Sequence, residues 1–322
     1  MIVVTGGAGF IGSGIVAKLN ERDRKDILVV DRWDQDGLKK KNLAAHSYLA
    51  FHDHDEFLKL VLADKIKEDV SCLIHMGACS STTGQDRAYY MQNNYEYSCH
   101  MARWAIKKNA RFIYASSAAT YGNGENGYSD SKDSIRRCEP LNFYGESKKL
   151  FDEWVLDNDL YDKIVGLKFF NVFGPNEYHK GDMRSVVAKS YDRVVRDGKI
   201  ALFKSYRDSY ADGEQKRDFI YTKDALDVVM FFMGHPEVNG IFNLGTGEAR
   251  SWNDLARAFF TAVGKPLVIE YIDMPESLRS RYQYFTQADM TRLRKAGYHK
   301  PFTSLEDAVR DYVAYLKDNS RL

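Results

Sequence analysis

The strongest constraint on this chain lies in its first twelve residues. The apolar run Ile2-Val3-Val4 passes directly into Thr5-Gly6-Gly7-Ala8-Gly9-Phe10-Ile11-Gly12. The segment that follows, from about Ile11 to Glu21, reads as a helix. Gly6, Gly9 and Gly12 recur at every third position. A turn of this kind lets the backbone approach a pyrophosphate that side chains would hold away. The helix that opens behind it offers unpaired N–H groups and the positive end of its dipole. The strand before and the helix after separate this pattern from chance glycine spacing.

The first half of the chain keeps to the same alternation. Ile27 to Val30, Cys72 to His75, Phe112 to Ala115 and Ile164 to Phe169 read as buried strands, with helical segments between them. Strand–helix alternation predicts an α/β fold, a Rossmann-type doubly wound parallel sheet. After Asn171 the character changes to an irregular, charged stretch running to Arg217. A helix around Asp224 to Met233, a short strand at Ile241 to Leu244 and further helices follow. The expected arrangement is a cofactor domain of residues 1–171 plus about 218–247. A smaller, mostly C-terminal substrate domain takes about 172–217 plus 248–322.

Composition narrows the function classes. Lys and Arg number 46 against 45 Asp and Glu, which gives no electrostatic reason to expect nucleic acid or an anionic membrane as partner. The four cysteines, Cys72, Cys79, Cys99 and Cys138, form no CxxC pair, and no His cluster has metal-ligand spacing. The expectation is no metal, and inert thiols in a reducing compartment. The start MIVVTGG lacks the pattern of a signal peptide, and no apolar run approaches the ~18 residues of a membrane span. The reading is a cytoplasmic protein.

Two further features carry chemistry. Asp31 ends the second strand, nineteen residues after Gly12. An acid there holds ribose hydroxyls and favours NAD. Arg32 follows at once and Lys39, Lys40 and Lys41 lie close by, which favours the extra phosphate of NADP. Tyr144-Gly145-Glu146-Ser147-Lys148 sets a phenol and an amine four residues apart, on one face of a helix. A free phenol, with a pKa of ~10, is a weak base at neutral pH. A neighbouring ammonium is expected to lower it. Ser117, past the end of a strand, is the candidate that hydrogen-bonds the reacting oxygen, with Ser116 as its competitor.

These residues identify a resemblance to the extended short-chain dehydrogenase/reductases, the superfamily of nucleotide-sugar epimerases, over nearly the whole chain. Within it the chain resembles the ADP-L-glycero-D-manno-heptose 6-epimerases of lipopolysaccharide core synthesis. The narrower likeness rests on TGGAGFIGS at Thr5, HMGACSSTT at His75, NNYEYS at Asn93 and YASSAATYG at Tyr114. It continues through FNVFGPNEYHKGDM at Phe170, KRDFIYT at Lys216, IFNLGTGEARS at Ile241 and RYQYFTQADMTRLRKAGYHKPF at Arg281.

The resemblance implies a set of site residues. Phe10 and Ile11 would lie beside the pyrophosphate, and Asp31, Arg32 and Lys39 around the adenosine. Met76, Gly77, Ala78, Cys79, Ser80 and Asn93 would line the cofactor cleft, where the family more often has an acid at Met76 and a basic residue at His54. Asn171 and Val172 would sit beside nicotinamide and sugar, and Lys148 would hold the nicotinamide ribose. Lys180 matches a second acid/base group that also touches cofactor. Arg217 would clamp the substrate pyrophosphate, Phe203 and Tyr282 would shape the nucleotide pocket, and Asp182 and Lys189 would face substrate. The implied reaction inverts C6 of an ADP-heptose with bound NADP, or NAD, in a self-associating enzyme. A hexose 4-epimerase or a non-catalytic dinucleotide sensor are the alternatives. Ala118-Ala119-Thr120-Tyr121 lacks the Asp-Glu pair that dehydratases carry after the catalytic hydroxyl.

Overall fold

The computed structural model describes residues 1–279 and 281–322. Twelve strands occur among them: β1 (Ile2–Thr5), β2 (Ile27–Asp31), β3 (Ala50–Asp53), β4 (Cys72–His75), β5 (Arg111–Ser117), β6 (Val165–Phe169), β7 (Asn171–Phe173), β8 (Ile200–Phe203), β9 (Lys216–Tyr221), β10 (Gly240–Leu244), β11 (Ala249–Ser251) and β12 (Ile269–Ile272). Seven form one parallel sheet in the order β10-β6-β5-β4-β1-β2-β3. The order reverses between β1 and β4, and ligands bind at the carboxyl ends of strands flanking such a reversal.

Both faces of the sheet are covered, so its strands are apolar throughout rather than alternating. In β1, Ile2 and Val4 pack with Ile15, Val16 and Leu19 of the Phe10–Asn20 helix. Val3 packs on the other face with Phe57, Tyr97, Met101 and Trp104. All three β1 valines and isoleucines are buried, which pins the register of the strand that feeds the glycine turn.

The chain leaves the main sheet abruptly after β6. The Phe170 N–H donates to the Leu244 carbonyl of β10, and one residue later β7 pairs with β9 in a separate three-stranded sheet, β11-β9-β7. That switch brings Asn171 and Val172 to the mouth of the cleft. A third sheet, β12-β8, completes the molecule. A third apolar cluster joins Phe173, Val187, Phe219 and Phe259 to Val309 and Tyr312 of the Leu305–Asp318 helix. The strands β7, β8, β9, β11 and β12 lie in stretches that the sequence reading leaves without strands. Each is short or flanked by charge, so neither periodicity nor apolar run length marks it. No helix of the described residues is long and apolar enough to cross a membrane, and no group of His, Cys, Asp and Glu among them is arranged to hold a metal ion.

Candidate active site

A cavity of about 540 Å³ opens at the reversal between β1 and β4. Its floor is the glycine turn. Gly6 has φ +66°, and a Cβ there would lie 2.7 Å from the Gly77 backbone. A Cβ on Gly12 would lie 2.1 Å from the Gly6 carbonyl oxygen. The protein itself therefore excludes side chains at both positions. Gly9 differs: the only atom that crowds its Cβ direction is the Gly6 oxygen at 3.1 Å, with nothing else nearer than 3.9 Å. Gly9 lines the cavity, so the space kept clear there faces a ligand. This cradle at a helix N-terminus fits the pyrophosphate of a dinucleotide.

Asp31 closes the turn from β2. Its Oδ2 accepts from the Ala8 N–H (3.0 Å), and its Oδ1 accepts from the Arg32 N–H (2.7 Å) and the Lys39 ammonium (2.7 Å). Arg32 points away to Asp55 (2.7 Å) and His54 (3.2 Å). Phe10, Ile11, Lys39, Met76, Gly77, Ala78 and Ser80 all line the cavity. Arg32, Cys79 and Asn93 are not among its lining residues. The Asn93 amide instead donates back to the Tyr89 carbonyl (2.9 Å). Its neighbour Asn94, fully buried, grips both the N–H and the carbonyl of Cys79 (2.8 and 3.0 Å).

Ser117, Tyr144 and Lys148 line one wall. Asn142 caps the Phe143–Asp157 helix by accepting from the Gly145 N–H (2.8 Å), which sets Tyr144 in its first turn. Lys148 is buried and donates to the Ala115 carbonyl (2.6 Å). Burial pushes its pKa down to about 8, against the opposing pull of Asp152. The expected lowering of the Tyr144 phenol does not follow. Burial raises its pKa, only partly offset by a hydrogen bond with Ser117. The physical reason is that the Lys148 ammonium is itself desolvated and turned to the Ala115 carbonyl. The two serines also separate. The Ser116 hydroxyl is committed to Asp152 (2.7 Å), which leaves Ser117 as the hydroxyl beside Tyr144.

Beneath this wall lies a buried ion pair that sequence reasoning missed. Lys168 and Asp152, both fully buried, meet at 2.6 Å. Asp152 also accepts from Tyr114 (2.8 Å), and Lys168 donates to Thr120 (2.8 Å). Lys168 was hidden because it sits inside an apolar strand; its register partner in β5 is Ser116.

The facing wall is built from β7, the Tyr178–Met183 turn and the Val186–Asp197 helix. Asn171, Val172, Lys180, Asp182 and Lys189 line it, as do the unforeseen His179, Arg184 and Trp252. Lys180 lies in the Tyr178–Met183 turn, its Nζ 5.0 Å from the centre of the Phe10 ring. Burial lowers the Lys180 pKa, with Glu177 opposing, and pushes the His179 imidazole down to about 4. Glu177, fully buried, anchors this turn: it accepts from the Ser185 N–H (2.6 Å), the Ser185 hydroxyl (2.5 Å) and Tyr312 (2.9 Å). Arg217, Phe203 and Tyr282 do not line the cavity but cluster next to it. The Arg217 guanidinium lies 5.0 Å from the Tyr282 ring and 5.7 Å from that of Trp252. Trp252 in turn donates to the Tyr282 hydroxyl (2.9 Å), and Phe203 meets Tyr282 edge-on.

Residues 2–245 match the model of the NAD dependent epimerase/dehydratase family. The chain belongs to that family. Within it, this epimerase-family enzyme is 51% identical to the ADP-L-glycero-D-manno-heptose-6-epimerase of Nitratidesulfovibrio vulgaris, with 97% of each chain covered. It is 45% identical to the enzyme of the same name from Fusobacterium nucleatum, again over 97% of each. The crystal structure of Helicobacter pylori ADP-L-glycero-D-manno-heptose-6-epimerase superposes with a TM-score of 0.82 at 30% identity, covering 98% of this chain and 96% of that one. A Methanobrevibacter ruminantium UDP-N-acetylglucosamine 4-epimerase, at 24% identity and TM-score 0.83, shares the fold.

Proposed function

We propose that this enzyme inverts C6 of the heptose in ADP-D-glycero-β-D-manno-heptose, giving the L-glycero epimer, with tightly held NADP. The observation that carries the reading is one cavity that combines a phosphate cradle, the Tyr144–Lys148–Ser117 wall and a desolvated Lys180. The names of relatives at 45 to 51% identity support the substrate.

The chemistry constrains the route. C6 is a carbinol whose C–H is not acidified by a neighbouring carbonyl, so direct deprotonation is implausible. A ketone at C6 is planar and open to reduction from either face. The glycine turn and Lys148 would hold a nicotinamide dinucleotide, which when bound and oxidised would supply the two-electron acceptor for this step. The chain's own groups handle the proton. Tyr144 takes the C6 hydroxyl proton in one direction and Lys180 in the other, and the ketone oxygen is reprotonated by the same pair. Burial lowers the Lys180 pKa, so more of it is neutral and able to take a proton near neutrality than of a free lysine. Ser117 hydrogen-bonds the reacting oxygen. Lys148 holds the cofactor ribose and adds positive field to the wall. Arg217 clamps the diphosphate, for which a planar bidentate donor is suited.

The adenosine end supports NADP over NAD. Both Asp31 oxygens already accept hydrogen bonds from Ala8, Arg32 and Lys39, which weakens their claim on a ribose hydroxyl. Lys39 lines the cavity at this spot, and Arg32, now turned to Asp55, stands next to Asp31 in the chain as a second cation for a 2′-phosphate. The test is to incubate the purified protein, with nothing added, with ADP-D-glycero-β-D-manno-heptose and to follow C6 by NMR. The dinucleotide released on denaturation is then identified. Conversion to an epimer mixture with NADP recovered is expected. No conversion even with NADP⁺ and NAD⁺ supplied sinks the heptose assignment.

A further inference from the structure

We propose that Thr5, His75, Ser98 and Asn94 form a one-way hydrogen-bond relay, with His75 the positioning residue that ties the phosphate turn to the Tyr144 helix. The argument starts from groups whose roles are fixed. The Gly77 N–H can only donate, and it donates to the Thr5 hydroxyl (3.2 Å). A hydroxyl has a second lone pair, so this alone leaves the direction of the Thr5–His75 Nδ1 contact (2.6 Å) open. The far end decides it: the Asn94 backbone carbonyl can only accept and takes the single Ser98 proton, so Nε2 must donate to the Ser98 hydroxyl (2.9 Å) and Nδ1 accepts from Thr5.

Asn94 extends the relay through its side chain. The Cys79 N–H must meet Oδ1, and the Cys79 carbonyl must meet Nδ2, so the amide has one orientation. Nδ2 then also donates to the Ser147 hydroxyl (3.0 Å), and Ser147 donates to the Tyr144 carbonyl (2.7 Å). Every hydroxyl along the path donates once. Reversing one member leaves two protons, or none, at a neighbouring contact. Asn94 sits in a widened helical turn, Met91–Glu96, and such turns re-aim backbone and side chains at functional sites.

All of these side chains are buried. Thr5 ends β1 next to Gly6, His75 ends β4, and the two strands are register partners at that position. The relay thus spans the sheet reversal, joining the Gly77–Cys79 wall, the glycine turn and the helix that carries Tyr144. Burial drives the His75 pKa far down, and the nearby Lys148 ammonium acts in the same direction. His75 stacks on Tyr97 and Phe112. The ring therefore stays neutral and its Nε2–H tautomer single-valued.

The proposal rests on Tyr144 as the acid/base group, but its first test does not. Two-dimensional ¹⁵N NMR of the imidazoles reads the tautomer directly, with His75 assigned by its loss in His75→Gln. The relay predicts a neutral ring protonated on Nε2 from pH 6 to 8. A proton on Nδ1, or titration of the ring in that range, overturns it whatever the substrate. The second test uses Thr5, read by kcat and KM beside thermal unfolding. Thr5→Val keeps the shape and removes the hydroxyl; Thr5→Ser keeps the hydroxyl and loses a methyl. Misplacing a reacting group by about an ångström costs up to ~100-fold. The relay predicts that Thr5→Val lowers kcat on the order of tenfold, with KM changed less than about threefold and Thr5→Ser near wild type. Simple core packing predicts the opposite order, and that outcome refutes the proposal. Should Thr5→Val fail to fold, the near-isosteric Ser147→Ala at the far end serves instead: a kcat drop is expected, and unchanged kcat counts against the relay.

Discussion

The two walls of the cavity are built on different principles. The wall of Gly6, Gly9, Gly12, Ser117, Tyr144 and Lys148 stands on strand ends of one parallel sheet and on a capped helix. Its buried polar groups each meet a fixed partner: Lys148 the Ala115 carbonyl, Ser116 the Asp152 carboxylate, Asn94 the Cys79 backbone. The facing wall is assembled from short elements outside that sheet. Lys180 lies in a turn interrupted by Gly181 at φ +53°, Lys189 on the Val186–Asp197 helix donates to the Asp182 carbonyl at 3.2 Å, and Arg217 on β9 lies against aromatic faces. Under the proposed function, the difference teaches that groups for chemistry common to many sugars stand on strand ends of the main sheet, while the groups that would recognise one sugar, with Lys180 among them, stand on short elements outside it.

The comparison breaks most visibly at Tyr144. Tyr144→Phe should cut turnover by ~10²–10⁴-fold while thermal unfolding and retained cofactor stay near wild type. Lys180→Met should also lose most turnover, because the second direction loses its base. Near-normal rates in both variants would end the two-base scheme. The cradle is tested by Gly9→Ala. Its φ of −76° suits alanine and only the Gly6 oxygen, at 3.1 Å, must give slightly, so the change bears mainly on close approach of a ligand, with thermal unfolding as the control. Dinucleotide affinity, read by fluorescence titration, should fall by at least roughly tenfold. An unaltered affinity would move the pyrophosphate elsewhere.

Elsewhere on the facing wall, away from Lys180, the effects should be milder and fall on binding. Arg217→Lys keeps the charge but loses the planar fork, so KM for the sugar nucleotide should rise about tenfold with kcat little changed. A kcat loss with constant KM would make Arg217 part of the rigid wall's chemistry instead. The smallest effect is on stability. Lys148 is an amine held in a dry site, its pKa pushed down to about 8 from the 10.5 of an ordinary lysine. Between those values the unfolded chain binds more protons, so wild-type stability rises with pH. Lys148→Met should therefore be more stable than wild type at pH 7, and the gap should close as pH passes from about 8 to 10 in urea unfolding. A variant less stable at pH 7 would mean that the Ala115 hydrogen bond outweighs desolvation.

The same division governs what could be read from sequence. The strands of the main sheet were legible because both faces are buried and apolar runs result, and Cys72–His75 falls where it is expected. The glycine turn was legible because its backbone demands leave glycines behind. β3, with its pattern Ala-Phe-His-Asp, was not, since half of it is polar and none of it fully buried. Of the site, Tyr144, Lys148 and Ser117 come together as their spacing and strand position imply. His75, Asn94, Asp152, Lys168 and Glu177 were silent. Each is a polar residue whose partners come from distant parts of the sequence, as with Glu177 and Tyr312, and a single sequence holds no record of such pairings.

The claim that inversion proceeds through a ketone is tested most directly by isotope tracing. ADP-D-glycero-β-D-manno-heptose carrying deuterium at C6 is epimerised in ordinary water, and the product is read by mass spectrometry. Transient oxidation by a retained nicotinamide predicts that the deuterium returns to C6. Washout of the label to solvent at the rate of inversion would contradict the account, because it would require deprotonation at carbon.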